Sequence, residues 1–263
     1  MNIIVCVKQV PDTSQMKFDP ETKTIIRENV ENIVNPFDLY AVEEALRIKE
    51  KFEGTTITAI CMGPKQAENA LREVISMGVD KAILVSDKSF AASDTLATSY
   101  ILSEAIKKTG QYDLILFGKM AIDGDTAQVG PGVASLLDIP QITFIRKIEN
   151  ITEKNIIAER AIETGYETIE CELPCVLTCI KELNEPRLPS LRGKMKAKKE
   201  EIPVWTAESL DIDLEKCGFK GSPTWVVKAF SPTITKENMI FKSDNQSENV
   251  GNLVSKLKEK AII

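Results

Sequence analysis

Short runs of β-branched and apolar residues alternate along this chain with stretches of helical period, and that alternation most narrows what it can fold into. Ile3-Ile4-Val5-Cys6-Val7 reads as a buried strand, followed by a long connection to Asn35-Pro36. From Pro36 to Phe52 the apolar residues Leu39, Val42, Ala45, Leu46 and Ile48 recur at helical spacing, with proline suited to the first turn. Strands then follow at Thr56 to Cys61, Lys81 to Val85 and Leu114 to Phe117, interleaved with helices at Lys65 to Met77, Asp94 to Lys108 and Gln128 to Leu137. Strands separated by helices need crossover connections, which give a mainly parallel sheet covered on both faces. The expected fold class is therefore α/β, a doubly wound, Rossmann-like sheet.

After Pro140 the period changes. Ile142 to Ile148, Ile156 to Ile162 and Tyr166 to Cys171 alternate polar with apolar residues, and Glu163-Thr164-Gly165 reads as a hairpin turn. This β-hairpin excursion, about 141–172, returns to the sheet through Val176 to Ile180. From Asn184 the periodicity fades: prolines at 186, 189, 203, 223 and 232 interrupt a stretch that holds both tryptophans, Trp205 and Trp225. The organisation read from these shifts is an α/β domain over 1–183 and an extended C-terminal arm over 184–263, ending in a helix from Glu248 to Lys260 and lying over another surface.

Composition removes several chemistries. The 263 residues contain no histidine, which excludes a Ser-His-Asp hydrolase and a His-ligated zinc enzyme. Cys171, Cys175 and Cys179 are evenly spaced, but in one extended segment four residues span about 13 Å, too far for sulfurs to share an ion. They read as small buried hydrophobes on one face of a strand. No Cys-x-x-Cys pair marks a disulfide framework. No apolar run reaches the roughly 18 residues of a membrane span, and Met1 to Cys6 lacks a secretory pattern, so a cytoplasmic location is expected. The basic run Lys194 to Lys199 is followed by Glu200-Glu201 in a chain of formal net charge -6, which speaks against nucleic acid.

Two stretches could carry chemistry. Gly118-Lys119-Met120-Ala121-Ile122-Asp123-Gly124-Asp125-Thr126-Ala127-Gln128-Val129 leaves a parallel strand and enters a helix, where free N–H groups and the helix dipole suit phosphate. Its competing reading is a helix merely capped by Asp125 or Thr126. Asp123 and Asp125 would repel phosphate; capping N–H groups or meeting a ribose hydroxyl suits them better. The second stretch is Ser93-Asp94-Thr95-Leu96-Ala97-Thr98-Ser99, whose hydroxyls share a helix face able to bind phosphate or ribose oxygens, with ordinary capping by Ser93 or Asp94 as its alternative. Neither a G-x-G-x-x-G nor a G-x-x-x-x-G-K-[ST] motif is present.

Four blocks together resemble the β subunit of electron transfer flavoproteins: Val34-Asn35-Pro36-Phe37-Asp38-Leu39-Tyr40-Ala41-Val42-Glu43-Glu44-Ala45, the loop Gly118 to Gly132, Glu159 to Cys179, and Asn184-Glu185-Pro186-Arg187 continuing to Met195-Lys196-Ala197-Lys198-Lys199. The resemblance implies an obligate heterodimer with an α subunit that carries FAD, the 184–263 arm packing on that subunit. It also implies an adenine-nucleotide site that includes Cys6, Asn35, Met62 and Gly118 to Val129. The loop sequence, together with Asp94, Thr95 and Thr98, resembles the electron-bifurcating branch. In that branch the nucleotide is a redox-active FAD that takes hydride from NADH; in the respiratory branch it is structural AMP.

As implied by the same resemblance, the chain is an electron-transfer subunit of a flavin-dependent, NADH-oxidising oxidoreductase complex of anaerobic metabolism. Its electrons would go to ferredoxin or flavodoxin and, through the α-subunit FAD, to an acyl-CoA or other flavin-dependent dehydrogenase. Leu191 and Met195 would belong to the loop that recognises redox partners, where the stretch from Arg187 to Met195 is about one residue shorter than in the respiratory form.

Overall fold

The computed structural model describes residues 1–12, 17–18, 25–26, 31–227 and 238–263. Part of the long connection before Asn35, and Pro232, lie outside them. Contacts divide the chain into two units, Met1–Val227 and Lys228–Ile263.

The first unit is built on nine strands in the order β11-β10-β9-β12-β8-β1-β6-β7-β13. They are β1 (Asn2–Val7), β6 (Thr56–Met62), β7 (Lys81–Val85), β8 (Leu114–Gly118), β9 (Gln141–Ile151), β10 (Asn155–Ile162), β11 (Gly165–Glu172), β12 (Cys175–Cys179) and β13 (Val204–Trp205). Short strands β2 (Gln9–Pro11) and β5 (Asn32–Val34) pair with each other, as do β3 (Lys17–Phe18) and β4 (Ile25–Ile26). From β9 to β13 in the sheet order every pairing is parallel; β9, β10 and β11 form the antiparallel excursion.

The period of two sorts side chains onto both faces. In β1, Ile3, Val5 and Val7 join one buried cluster, and Ile4 and Cys6 join the other. Helices α1 (Pro36–Lys51), α2 (Glu68–Met77) and α5 (Leu191–Lys199) contribute to the first cluster. The second takes residues of α3 (Thr95–Thr109), α4 (Val129–Leu137) and α6 (Ala207–Leu210). Each fully buried Ile, Leu or Val contributes roughly 1.5–3 kcal/mol of transfer free energy, so the doubly covered sheet dominates stability. The doubly wound α/β expectation is met.

One expectation is corrected. Cys171 stands on β11, not on the strand of Cys175 and Cys179, because β11 ends at Glu172 and a separate strand begins at Cys175. The Cys171 thiol donates to Glu172 O at 3.6 Å, and Cys175 lies near enough to influence it. All six cysteines are free and buried, and among the described residues no cluster suits a metal. Residues 184–227, read from the sequence as part of the arm, cluster with the first unit. The basic run forms helix α5, which packs on α2 so closely that a Cβ on Gly193 would lie 2.0 Å from the Ser76 carbonyl oxygen. Val204–Trp205 adds β13 beside β7.

What holds this segment is long-range charge: Arg187 donates to both oxygens of the buried Glu43 at 2.8 and 2.9 Å and to Glu50 at 2.6 Å. Asn184 donates to Tyr40 O and to Glu44. The second unit contains α7 (Gln246–Glu259), capped by Asn245. Among the described residues no helix is long and apolar enough to cross a membrane.

Candidate nucleotide-binding site

A cleft of about 950 Å³ opens at the carboxyl ends of β1, β6 and β8, where open α/β sheets place their ligands. Most of the residues expected from the sequence meet there: Cys6, Asn35, Met62, Asp94, Thr95, Thr98, Gly118, Lys119, Met120, Ala121, Gly124, Thr126, Ala127, Gln128 and Val129 all line it. Ile122, Asp123 and Asp125 do not. The loop folds back on itself through Gly124 N–H and Asp125 N–H donating to Ala121 O, and Asp123 is drawn aside into an ion pair with Lys8 at 2.7 Å. The carboxylate that looked hostile to phosphate is thus paired with a cation.

The head of α4 lacks a side-chain cap: Gln128 occupies the N-cap position and its side chain accepts nothing from the first turn. Neither Asp125 nor Thr126 caps it, so its leading N–H groups face the cleft with the dipole behind them. The head of α3 behaves differently. Asp94 caps it, accepting from Leu96 N and Ala97 N at 2.9 and 3.1 Å, while its other oxygen accepts from Thr224 N and Oγ1. Burial opposes the Asp94 charge, but these donors together hold the carboxyl below its ordinary value. The capping alternative for Asp94 is therefore realised. Thr95 instead reaches across to the other loop, donating to Gln128 Oε1 at 2.8 Å.

Asn35 explains how the loop is held. It occupies the N-cap position of α1, yet its side chain makes no cap bond to the helix. Its Oδ1 accepts from Ile122 N at 3.1 Å, and its Nδ2 donates to Met120 O at 2.9 Å and to Asp38 Oδ1 at 2.8 Å. Asp38 in turn accepts from Lys8 N and Gly118 N at 2.7 and 3.2 Å. Burial raises the Asp38 carboxyl to about 7 against the lowering effect of these bonds. Gly118 is required for this contact, because a Cβ there would sit 2.4 Å from Asp38 Oδ1 and 2.5 Å from the Phe37 backbone.

Sequence reading missed Lys8, Asp38, Lys65, Ser86, Asp87, Lys88 and Phe90 to Ala92, which also line the cleft. Asp38 carried one available signal, a carboxylate in the first turn of a helix two residues after Asn35-Pro36. Four lysines, Lys8, Lys65, Lys88 and Lys119, face the cleft. Of its aspartates, Asp87 accepts from Ser89 N and Ala207 N, Asp94 caps α3, and Asp38 is buried behind the loop. The acidic groups are committed to N–H donors, which leaves a field suited to an anionic ligand. A second cleft of about 740 Å³, lined among others by Phe37, Phe144 and Arg160, shares Lys119 with the first. Leu191 and Met195 lie in neither; they are exposed one turn apart on α5, next to exposed Leu188.

Comparison with known proteins bears on this architecture. The electron transfer flavoprotein domain model matches residues 22–210. The chain belongs to the electron transfer flavoprotein family. Along its whole length it is 52% identical to an electron transfer flavoprotein subunit beta of Thermoanaerobacterium thermosaccharolyticum, all of which is covered. It is 48% identical to the caffeyl-CoA reductase-Etf complex subunit CarD of Acetobacterium woodii, again over both full chains. The FixA protein of Azotobacter vinelandii is 48% identical over 88% of this chain and 84% of its own. The β-subunit resemblance seen in Val34 to Ala45, Gly118 to Gly132, Glu159 to Cys179, Asn184 to Arg187 and Met195 to Lys199 is therefore that of a family member, an electron transfer flavoprotein β subunit.

Proposed function

We propose that this β subunit binds FAD in the cleft of about 950 Å³, oxidises NADH there and divides the electron pair. One electron goes to a low-potential acceptor, ferredoxin or flavodoxin, and the other through an FAD on the α subunit to a partner dehydrogenase. The observation that carries this reading is the cleft itself: its size is at the upper end for small-molecule sites, and it ends on an uncapped helix head that suits a diphosphate. FAD, with more than twice the atoms of AMP, makes fuller use of that length than a mononucleotide does.

A bound flavin supplies hydride uptake and one-electron release by itself, which suits a chain without histidine. The protein's own part is to bind and orient. The N–H groups of Val129 and Gly130 at the head of α4 would hold phosphate oxygens, Thr95 and Gln128 fix the two loops to each other, and Asn35 holds Met120 and Ile122 in place. The name of the Acetobacterium relative, a caffeyl-CoA reductase-Etf complex subunit, favours a dehydrogenase of CoA thioesters as partner. We assign its recognition to Leu191 and Met195, and the partnering of the second unit to the α subunit.

The alternative is a non-bifurcating subunit in which structural AMP fills part of the cleft and all redox chemistry stays on the α-subunit FAD. Mass spectrometry of the nucleotides released from the purified complex separates the two. FAD in excess of the α-subunit complement is expected; AMP in stoichiometric amount would select the alternative.

A further inference from the structure

We propose that Asp38 is the positioning residue of the nucleotide loop, and that only its carboxylate form holds the loop in the geometry that binds. This inference deepens the nucleotide-binding reading above and rests on it. Asp38 is 6% exposed and sits where three segments converge. Its Oδ2 accepts from Lys8 N at the end of β1, and its Oδ1 accepts from Gly118 N at the end of β8 and from Asn35 Nδ2. Every partner is an N–H donor, so an ionised carboxylate satisfies all three. A protonated carboxyl must aim its O–H at one of them and loses that bond.

The consequence reaches the cleft through Asn35. An asparagine amide can turn over by half a rotation, exchanging its oxygen and nitrogen. The bond to Asp38 fixes which way it lies, because Nδ2 has to face the carboxylate. That orientation presents Oδ1 to Ile122 N and shares Nδ2 with Met120 O. Asp38 thus sets the polarity of a bridge that holds the loop from both sides.

The groups that face Asp38 are few. Lys8 follows β1 and is paired with Asp123; Cys6 lies on β1, Cys61 on β6 and Cys179 on β12. Burial pushes the Cys61 thiol up to about 12 and those of Cys6 and Cys179 well above their ordinary value, so none of the three changes charge near neutrality. Asp38, raised by burial to about 7, does change there.

The test uses the complex with its α subunit, stripped of nucleotide and titrated with FAD and with AMP at pH 6, 7 and 8, as wild type and as Asp38→Asn. At pH 8 the variant should bind about fivefold more weakly, the loss of roughly one hydrogen bond at the loop. At pH 6, where the wild-type carboxyl is itself protonated, the gap should close to less than about twofold. The AMP phosphate titrates near pH 6, but equally for both proteins, so it cancels in the ratio. Equal or tighter binding by Asp38→Asn at pH 8 would show that Asp38 acts only by repelling an anion and would overturn the proposal. A deficit independent of pH would overturn it as well.

Should the variant not fold, the wild type alone decides: its affinity for FAD, whose diphosphate does not titrate in this range, should rise about threefold from pH 6 to 8, and a flat or falling profile refutes the role. Binding of AMP without FAD would reject the dinucleotide reading while leaving the Asp38 comparison intact in AMP.

Discussion

Replacing Asn35 by alanine should both destabilise the fold and loosen the nucleotide loop. Asn35 is 1% exposed, and its side chain makes three hydrogen bonds, to Ile122 N, Met120 O and the Asp38 carboxylate. A neutral hydrogen bond is worth about 1 kcal/mol net and one to a charged group about 1.5–3. The loop ends that lose their partners are only partly buried, so water recovers some of the loss. The expected cost is about 3 kcal/mol, which in a domain of this size lowers Tm by roughly 6–12 °C. Calorimetry of the purified complex, with bound nucleotide counted after gel filtration, reads both effects. Nucleotide occupancy should fall with Tm. A variant that melts within about 2 °C of the wild type and keeps its nucleotide would refute the role given to Asn35.

Thr126→Asp adds a negative charge beside the uncapped head of α4 and should weaken FAD binding about tenfold, measured by fluorescence titration; unchanged affinity would move the phosphates elsewhere. Asp38 also sets a pH dependence of stability. Its folded value of about 7 lies above an unfolded value near 3.9, so the folded state holds more protons between the two. Stability from this group is complete below about pH 4 and declines as pH rises to about 7, by at most about 4 kcal/mol. Urea titrations of wild type and Asp38→Asn across that window should differ in slope, and parallel profiles would contradict it. Arg187→Ala leaves the buried Glu43 unpaired and should cost about 2 kcal/mol, below the 3–5 of a fully buried pair because Arg187 is about one-third exposed. In that variant proteolysis should begin between residues 184 and 199, and an unaltered digest would argue against the clamp.

The α/β core was legible because each strand is a run of apolar residues and each helix has its own punctuation. Pro36 opens α1, Gly78 closes α2 and Asp94 caps α3. The hairpin was legible in its alternation and in Glu163-Thr164-Gly165. Residues 184–227 were not, since Arg187 and Glu43 are far apart in the chain and a two-residue strand has no period to read. Within the cleft, the α4 loop stood out as a glycine-bearing exit from a strand. Lys8 and Asp38 did not, because their roles depend on bonds to Asp123 and Gly118 that only the folded sheet creates. Cys171 was misplaced for a related reason: even spacing in sequence concealed the break between β11 and β12 at Leu173-Pro174.

The most direct measurement of the central claim is the flavin content of the heterodimer together with its response to NADH. Two flavins per αβ pair, both reduced promptly when NADH is added anaerobically, are the predicted result. One flavin per pair, accompanied by AMP and indifferent to NADH, would contradict it.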